Sequence, residues 1–201
     1  HGDYAAAVEM LEQVLMYRRR MNDPLRLVGT LNNLALASRL SGNPVRAIEL
    51  YEEAVTVTRH EGIFPSLARA LNGLAELSAL KGDHREAMSL HRESILIRHE
   101  LGDLKGLVAS LNSIARFIEQ LGDTKLAVKL EGAALHVRNE IGFLIEPAKR
   151  EENEAFHARL KHELGEEIYR SAWLDGQSMP QNQLIELIKN TPLAGADVTS
   201  A

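Results

Sequence analysis

The 201-residue sequence contains no cysteine. That excludes a disulfide framework and any thiolate site, and it fits a reducing compartment. Positive charge is not in excess either. Twenty-three Lys and Arg stand against 28 Asp and Glu, a formal net charge of −5, so nothing in the bulk electrostatics draws the chain to nucleic acid or to an anionic membrane. No apolar run approaches the roughly 20 residues of a membrane span, and the first residues do not read as a signal peptide. A cytoplasmic location is expected. Also missing are a phosphate-cradling Gly-rich loop with Lys, a Ser nucleophile in a Gly-x-Ser-x-Gly turn, and paired carboxylates with a reason to differ in pKa. The expectation is therefore no catalytic residue, no enzyme activity and no cofactor. What is present is 45% hydrophobic and 25% charged residues with only 4% aromatics, a balance that suits one soluble domain with a continuous, closely packed helical core.

The organising feature is a repeat. Gly2-Asp3, Gly42-Asn43, Gly82-Asp83 and Gly122-Asp123 stand 40 residues apart, and Ala7, Ala47, Ala87 and Ala127 each follow five residues after the Gly. A second phase holds Gly62, Gly102 and Gly142, again 40 apart, with Leu31-Asn32, Leu71-Asn72 and Leu111-Asn112 in the same register. At ordinary glycine frequency, three further glycines fall into register by chance with odds of roughly 3 in 10,000. Each repeat reads as two helices joined by a two-residue turn. Gly42 closes one helix in the left-handed conformation and Asn43 caps the next, with Pro44 at the first helical position. Asp3, Asp83 and Asp123 fill the same capping role, and Glu86 stands where a capping-box partner of Asp83 belongs. Asp23-Pro24 and Pro65 restart the helices that follow the second turn.

The columns show what must be buried. Val8, Ile48, Met88 and Val128 follow the alanines, and Leu15, Val55, Ile95 and Leu135 form a second apolar column. In the preceding helices Leu34, Leu74 and Ile114 sit beside Ala35, Ala75 and Ala115; small residues at matching places let helices approach closely. One such hairpin cannot bury its own apolar face, so stacking on neighbours is required.

These residues resemble the tetratricopeptide repeat. The likeness rests on Gly-Asp-Tyr at residues 2 to 4, the alanine five residues after each Gly, Tyr51 four residues beyond Ala47, and the small column Val14, Ala54, Ser94 and Ala134. It covers residues 2 to about 145. The period departs from the usual one of about 34 residues, and the Trp and closing Pro of the commonest consensus are absent. The longer period with Leu-Asn-Asn-Leu-Ala at residues 31 to 35 is similar to the variant of kinesin light chains and many bacterial regulators. The resemblance implies an all-α, right-handed α-solenoid of antiparallel helix pairs with a C-terminal helical cap. On this reading residues 1–22 are the second helix of a truncated first repeat and residues 23–145 are three repeats. Residues 146–190 are capping helices and 191–201 a flexible tail.

The sequence opens without Met and in mid-repeat, as a fragment of a longer protein does. Its first helix, from Asp3 to about Arg20, is expected to expose Val8, Leu11 and Leu15, and exposed apolar faces of that kind seek partners. Self-association at this end is expected. The basic run Tyr17-Arg18-Arg19-Arg20 reads as complementing the negative end of its helix. His84 and His91 are seven residues apart, while His99 and His162 open zinc-protease-like strings that lack a second His four residues on, so no metal site is expected.

Past Gly142 the repeat degrades. Glu151 and Glu152 replace the Leu-Asn pair, while Phe156, Leu160 and Leu164 keep an apolar stripe, the pattern of a terminal cap. Leu130-Glu131-Gly132-Ala133-Ala134, Arg138, Ile141-Gly142, Pro147, Leu164-Gly165-Glu166-Glu167, Ala172-Trp173, Gly176 and Leu184 resemble the C-terminal end of large bacterial signal-transduction ATPases and LuxR-type transcriptional regulators. Glu131 stands where that family has glycine. Trp173 is expected to pack the short helix Glu166–Trp173 against the cap.

In solenoids of the resembled family the first helix of each repeat lines the concave face. The resemblance therefore implies a peptide-binding groove with Asn32, Asn72 and Asn112 along it. Leu36, Glu76 and Arg116 lie one turn further on, and Arg69, Glu76, Arg116 and Glu119 could add charge selectivity. An amide offers donors and an acceptor to a peptide main chain. The same asparagines could instead bond neighbouring helices and set the superhelix pitch, and the sequence leaves both readings open. The function expected is a non-enzymatic scaffold or sensor segment that binds a protein or peptide, without direct nucleic-acid or membrane binding. The alternatives are a small-molecule-sensing solenoid that controls an attached output domain, and a purely structural self-association module.

Overall fold

The computed structural model describes residues 3–21, 23–143 and 147–192, without the side chains of 147–149. The expectations placed on Gly2, on residues 144–146 and on the tail past residue 192 lie outside the described residues. Among the described residues there are ten helices: α1 (Tyr4–Arg18), α2 (Pro24–Leu40), α3 (Pro44–Glu61), α4 (Phe64–Lys81), α5 (His84–Glu100), α6 (Leu104–Gln120), α7 (Thr124–Glu140), α8 (Pro147–Leu164), α9 (Glu166–Gln177) and α10 (Gln181–Asn190). They fall into two compact units, His1–Ile97 and Arg98–Ala201, divided within α5.

The helix limits follow from turn chemistry. Gly42, Gly62, Gly82, Gly102, Gly122 and Gly142 all have positive φ, the region a side chain disfavours. On the far side of the turns, carboxylate or amide oxygens of Asp3, Asp23, Asn43, Asp103 and Asp123 accept from the main-chain N–H three residues on. Each such cap stabilises by about 1 kcal/mol. One capping detail differs from expectation. The Asp83 amide donates to the Ser78 carbonyl at 2.9 Å, so no donor is left for Glu86 to complete a box; Glu86 instead accepts from the Ser78 hydroxyl at 3.1 Å.

In the first unit Leu15, Val28, Leu31, Leu34, Leu50 and Ala54 form the buried core, flanked by Val8, Leu11, Ile48, Val55 and Leu74. Burial of each large side chain stabilises by about 1.5–3 kcal/mol. The repeat columns land as the pattern requires, since Ala47, Ala87 and Ala127 are each wholly buried. The expectation for α1 is corrected here. Leu15 is buried and Val8 and Leu11 pack on the same core, because α2 takes that face of α1. The large apolar side chains of α1 left exposed are Tyr4, Met10, Val14, Met16 and Tyr17.

In the second unit α7 packs most extensively against α6 and α9. The α7–α9 contact is a crossing of backbones. A methyl group on Gly132 would overlap the Trp173 carbonyl oxygen, and one on Gly176 would overlap the Lys129 carbonyl. Val128, Phe156, Leu160 and Ala172 form the core of this region, with Leu164, Tyr169 and Trp173 against it. Trp173 thus sits in the packing expected of it. Its helix runs a turn further than Glu166–Trp173, to Gln177, carrying Gly176 into the crossing.

Candidate functional site

The expected groove residues of the first unit lie on α2 and α4, and they are not alike. Asn32 is 1% exposed, and its Nδ2 donates to the Ser66 main-chain carbonyl at 3.1 Å. It is a clamp between first helices, out of reach of a ligand in this conformation. Leu36, one turn on, is exposed. Arg69 is exposed and donates from Nη1 to Asn33 Oδ1 at 3.0 Å. Asn72 is half-buried and donates from Nδ2 to Glu76 Oε1 at 3.1 Å, as the i,i+4 spacing on one helical face allows. The other Glu76 oxygen meets Arg39 Nη2 at 3.1 Å. Beside this polar chain lies Tyr51, whose hydroxyl is pushed up to about 12, by burial above all and by the Glu76 charge, against the downward pull of Arg39 and Arg69. Its ring rests directly against the α-carbon of Gly73.

In the second unit Asn112 is half-buried on α6. Arg116 and Glu119 turn to α8. Arg116 donates to Asn153 Oδ1 at 2.8 Å, reaches Glu152 at 3.4 Å and lies 4.5 Å over the Phe156 ring. Glu119 takes Arg159 at 3.0 Å. The charge selectivity expected from Arg116 and Glu119 is thus committed within the chain.

One column escaped sequence reasoning. Tyr51, His91 and Glu131 follow one another at 40-residue spacing, and all three are buried. The spacing was the available signal, obscured because the three side chains share no chemistry. Glu131 is the most consequential. Its carboxylate stands 3.6 Å from His157 Nε2, and His157 Nδ1 lies 3.3 Å from the Tyr169 hydroxyl. Trp173 meets the His157 ring edge-on at 5.0 Å and stacks on Tyr169 at 5.8 Å. Burial pushes the Glu131 carboxyl up to about 7, against the pull of Arg116 and Arg138. The His157 imidazole is lowered by burial first and then by the same two arginines. Both groups therefore favour their neutral forms. His84 and His91 are separated in environment: His84 is exposed, whereas His91 is wholly buried and burial drives its pKa down to about 3. Among the described residues no group of three His, Asp or Glu is placed to hold a metal ion, and no helix is long and apolar enough to cross a membrane.

Antiparallel helix pairs, with left-handed glycines at residues 42, 62, 82, 102, 122 and 142 and side-chain caps opening α2, α3, α6 and α7, define an all-α fold of the α-solenoid class. Residues 27–98 match the tetratricopeptide repeat family. Among solved structures, the crystal structure of BtubC (BKLC) from P. vanneervenii is similar, with a TM-score of 0.67 at 18% identity over 100% of this chain and 80% of that one. No curated protein matches the chain. Tetratricopeptide repeats serve as protein-interaction scaffolds, and repeats of this fold are typically non-catalytic.

Proposed function

We propose that this chain is the partner-recognition segment of a multidomain bacterial regulator working in the cytoplasm, and that its ligand is a protein or an extended peptide. The regulator context rests on the residues from Leu130 to Leu184 that resemble the C-terminal ends of such proteins. The binding reading rests on one observation, the mixed face of α2 and α4. There exposed Leu36 offers an apolar contact, Arg69 a cation, and the Asn72–Glu76–Arg39 chain a set of donors and acceptors held in place by one another. An extended peptide would lay its main chain along Asn72 and an apolar side chain on Leu36. Signalling would follow only if the ligand prefers one conformer of the larger protein. Self-association through α1 is a second contact, on a different surface.

Selection from a displayed library of random peptides tests the reading. Peptides enriched on the wild type should bind Asn72→Ala or Arg69→Ala at least about tenfold more weakly, a loss of about 1.4 kcal/mol, with little change in melting temperature. Equal binding by both variants, or failure to enrich any sequence, overturns it.

A further inference from the structure

Within the second unit, α8 is held largely by the tips of polar side chains. Of its described side chains only Phe156 and Leu160 are buried. Its other grips are Asn153 and Glu152 on Arg116, Arg159 on Glu119, Glu163 on Thr124 and His157 on Glu131. Helix α9, by contrast, is locked to α7 where Gly132 and Gly176 let the backbones cross. Gly165, at a φ of 78°, joins α8 to α9 through a residue with wide conformational freedom. An element with few buried apolar contacts opens ahead of its neighbours.

One grip is unlike the rest. The pairs made by Glu152 and Arg159 each have an exposed member and are screened by water, whereas Glu131 is 8% exposed and its carboxylate meets His157 Nε2 at 3.6 Å. Among the described residues, the groups facing Glu131 are Arg116 from α6, Arg138 further along α7, His157 from α8 and Tyr169 from α9. Glu152 stands on the outer side of Arg116, and Glu166 beside Tyr169. His157 faces the same two arginines, the Tyr169 hydroxyl and the Trp173 ring. A second proton on the pair would put an imidazolium beside Arg116 and Arg138; removal of the first would leave a bare carboxylate in the interior. We propose that α8 is a detachable cap helix latched at Glu131 and His157, and that the latch holds while the acid keeps its proton and the imidazole takes none. The two halves of the latch then oppose each other. The acid is raised from 4.5 to about 7, so its help is full below pH 4.5 and is lost as pH rises through about 7. The imidazole is lowered from 6.5, so its help is present above pH 6.5 and is lost as pH falls. Over the interval where both change, the slopes offset and docking stays level.

Amide hydrogen exchange of residues 150–164, corrected for the intrinsic pH dependence of exchange, reads the opening of α8, with α6 as the reference. In the wild type α8 should open more readily than α6, and its opening constant should change by less than about threefold between pH 6.5 and pH 5. Over the same interval Glu131→Gln, which leaves the imidazole alone, should loosen α8 about tenfold, and His157→Gln, which leaves the acid alone, should tighten it about tenfold. Arg159→Ala, which removes a surface pair, should raise the opening constant without giving it a slope. If one of the two latch variants does not fold, the sign of the other's slope against the level wild type decides. An α8 that opens no sooner than α6, a wild type as steep as either variant, two variants sloping the same way, or a slope in Arg159→Ala each overturns the proposal.

Discussion

Asn32 and Asn72 occupy the same place in successive repeats, the first 1% exposed and the second half-buried. Asn32 closes a bond to the Ser66 carbonyl in a sealed seam; Asn72 bonds along its own helix to Glu76 at the half-open face. Both bonds are part-buried, but the Asn32 side chain itself is 1% exposed, and its truncation removes packing as well as a bond, at a cost of about 1–3 kcal/mol. Asn32→Ala should therefore lower the urea midpoint clearly, with Asn72→Ala nearer the wild type. The column was legible from spacing, but which member is sealed depends on the next first helix, and no repeat period encodes that. Glu131 carries a sharper consequence. Its carboxyl is raised from an ordinary 4.5 to about 7, so between those values the folded protein holds a proton that the unfolded chain has released. Its contribution is full below about pH 4.5 and lost as pH rises to about 7, up to about 3 kcal/mol. His157 and His91 act in the opposite sense: both are lowered, so their contribution is lost as pH falls below the ordinary imidazole value of 6.5. Comparison with Glu131→Gln isolates the acid. The stability of Glu131→Gln relative to wild type should rise from pH 5 to pH 8 in chemical denaturation; a constant difference would remove the buried-acid account.

At the scale of helices, the turns were the legible part. A glycine followed by Asp or Asn dictates where one helix stops and the next begins, and the structure places those boundaries within a few residues. The crossing of α7 and α9 was not legible, because a glycine inside a helix reads in the sequence only as a weak helix former. Gly132 and Gly176 are needed for the carbonyl oxygens that face them, and the residues supplying those oxygens lie on the opposite helix. Gly132→Ala and Gly176→Ala should each destabilise by about 1–3 kcal/mol, the range for overpacking. Gly29→Ala is the internal control. It lies in α2 with nothing near a methyl at that point, and it should stabilise by about 0.5–1 kcal/mol through helix propensity alone. Thermal melts of the three variants should rank in that order, and a Gly176→Ala melt at or above wild type would mean that the helices slide apart freely.

Across the chain as a whole, the 40-residue period was readable because selection for stacking repeats the same small and apolar side chains. The second unit was less readable. There the period lapses, and α8 and α9 are positioned by one-off contacts such as Arg116 with Asn153 and Glu119 with Arg159. In the first unit the period reaches the surface too. Arg19 pairs with Glu53 at 2.6 Å and Arg59 with Glu93 at 2.9 Å, the same rung one repeat later, each spanning 34 residues. Exposed pairs of this sort contribute about 0–1 kcal/mol and are screened by salt. Glu53→Ala and Glu93→Ala should each cost less than about 1 kcal/mol at low salt and almost nothing in 1 M NaCl; a loss that persists in high salt would point to packing instead of charge. A rung shorter than the repeat has a further meaning. Arg19 and Arg59 each find their Glu in the adjoining block, so splicing in a second copy of residues 43–82 would hand the copied Arg59 and Glu53 waiting neighbours on this rung. The first unit has the grammar of a sentence that accepts another clause.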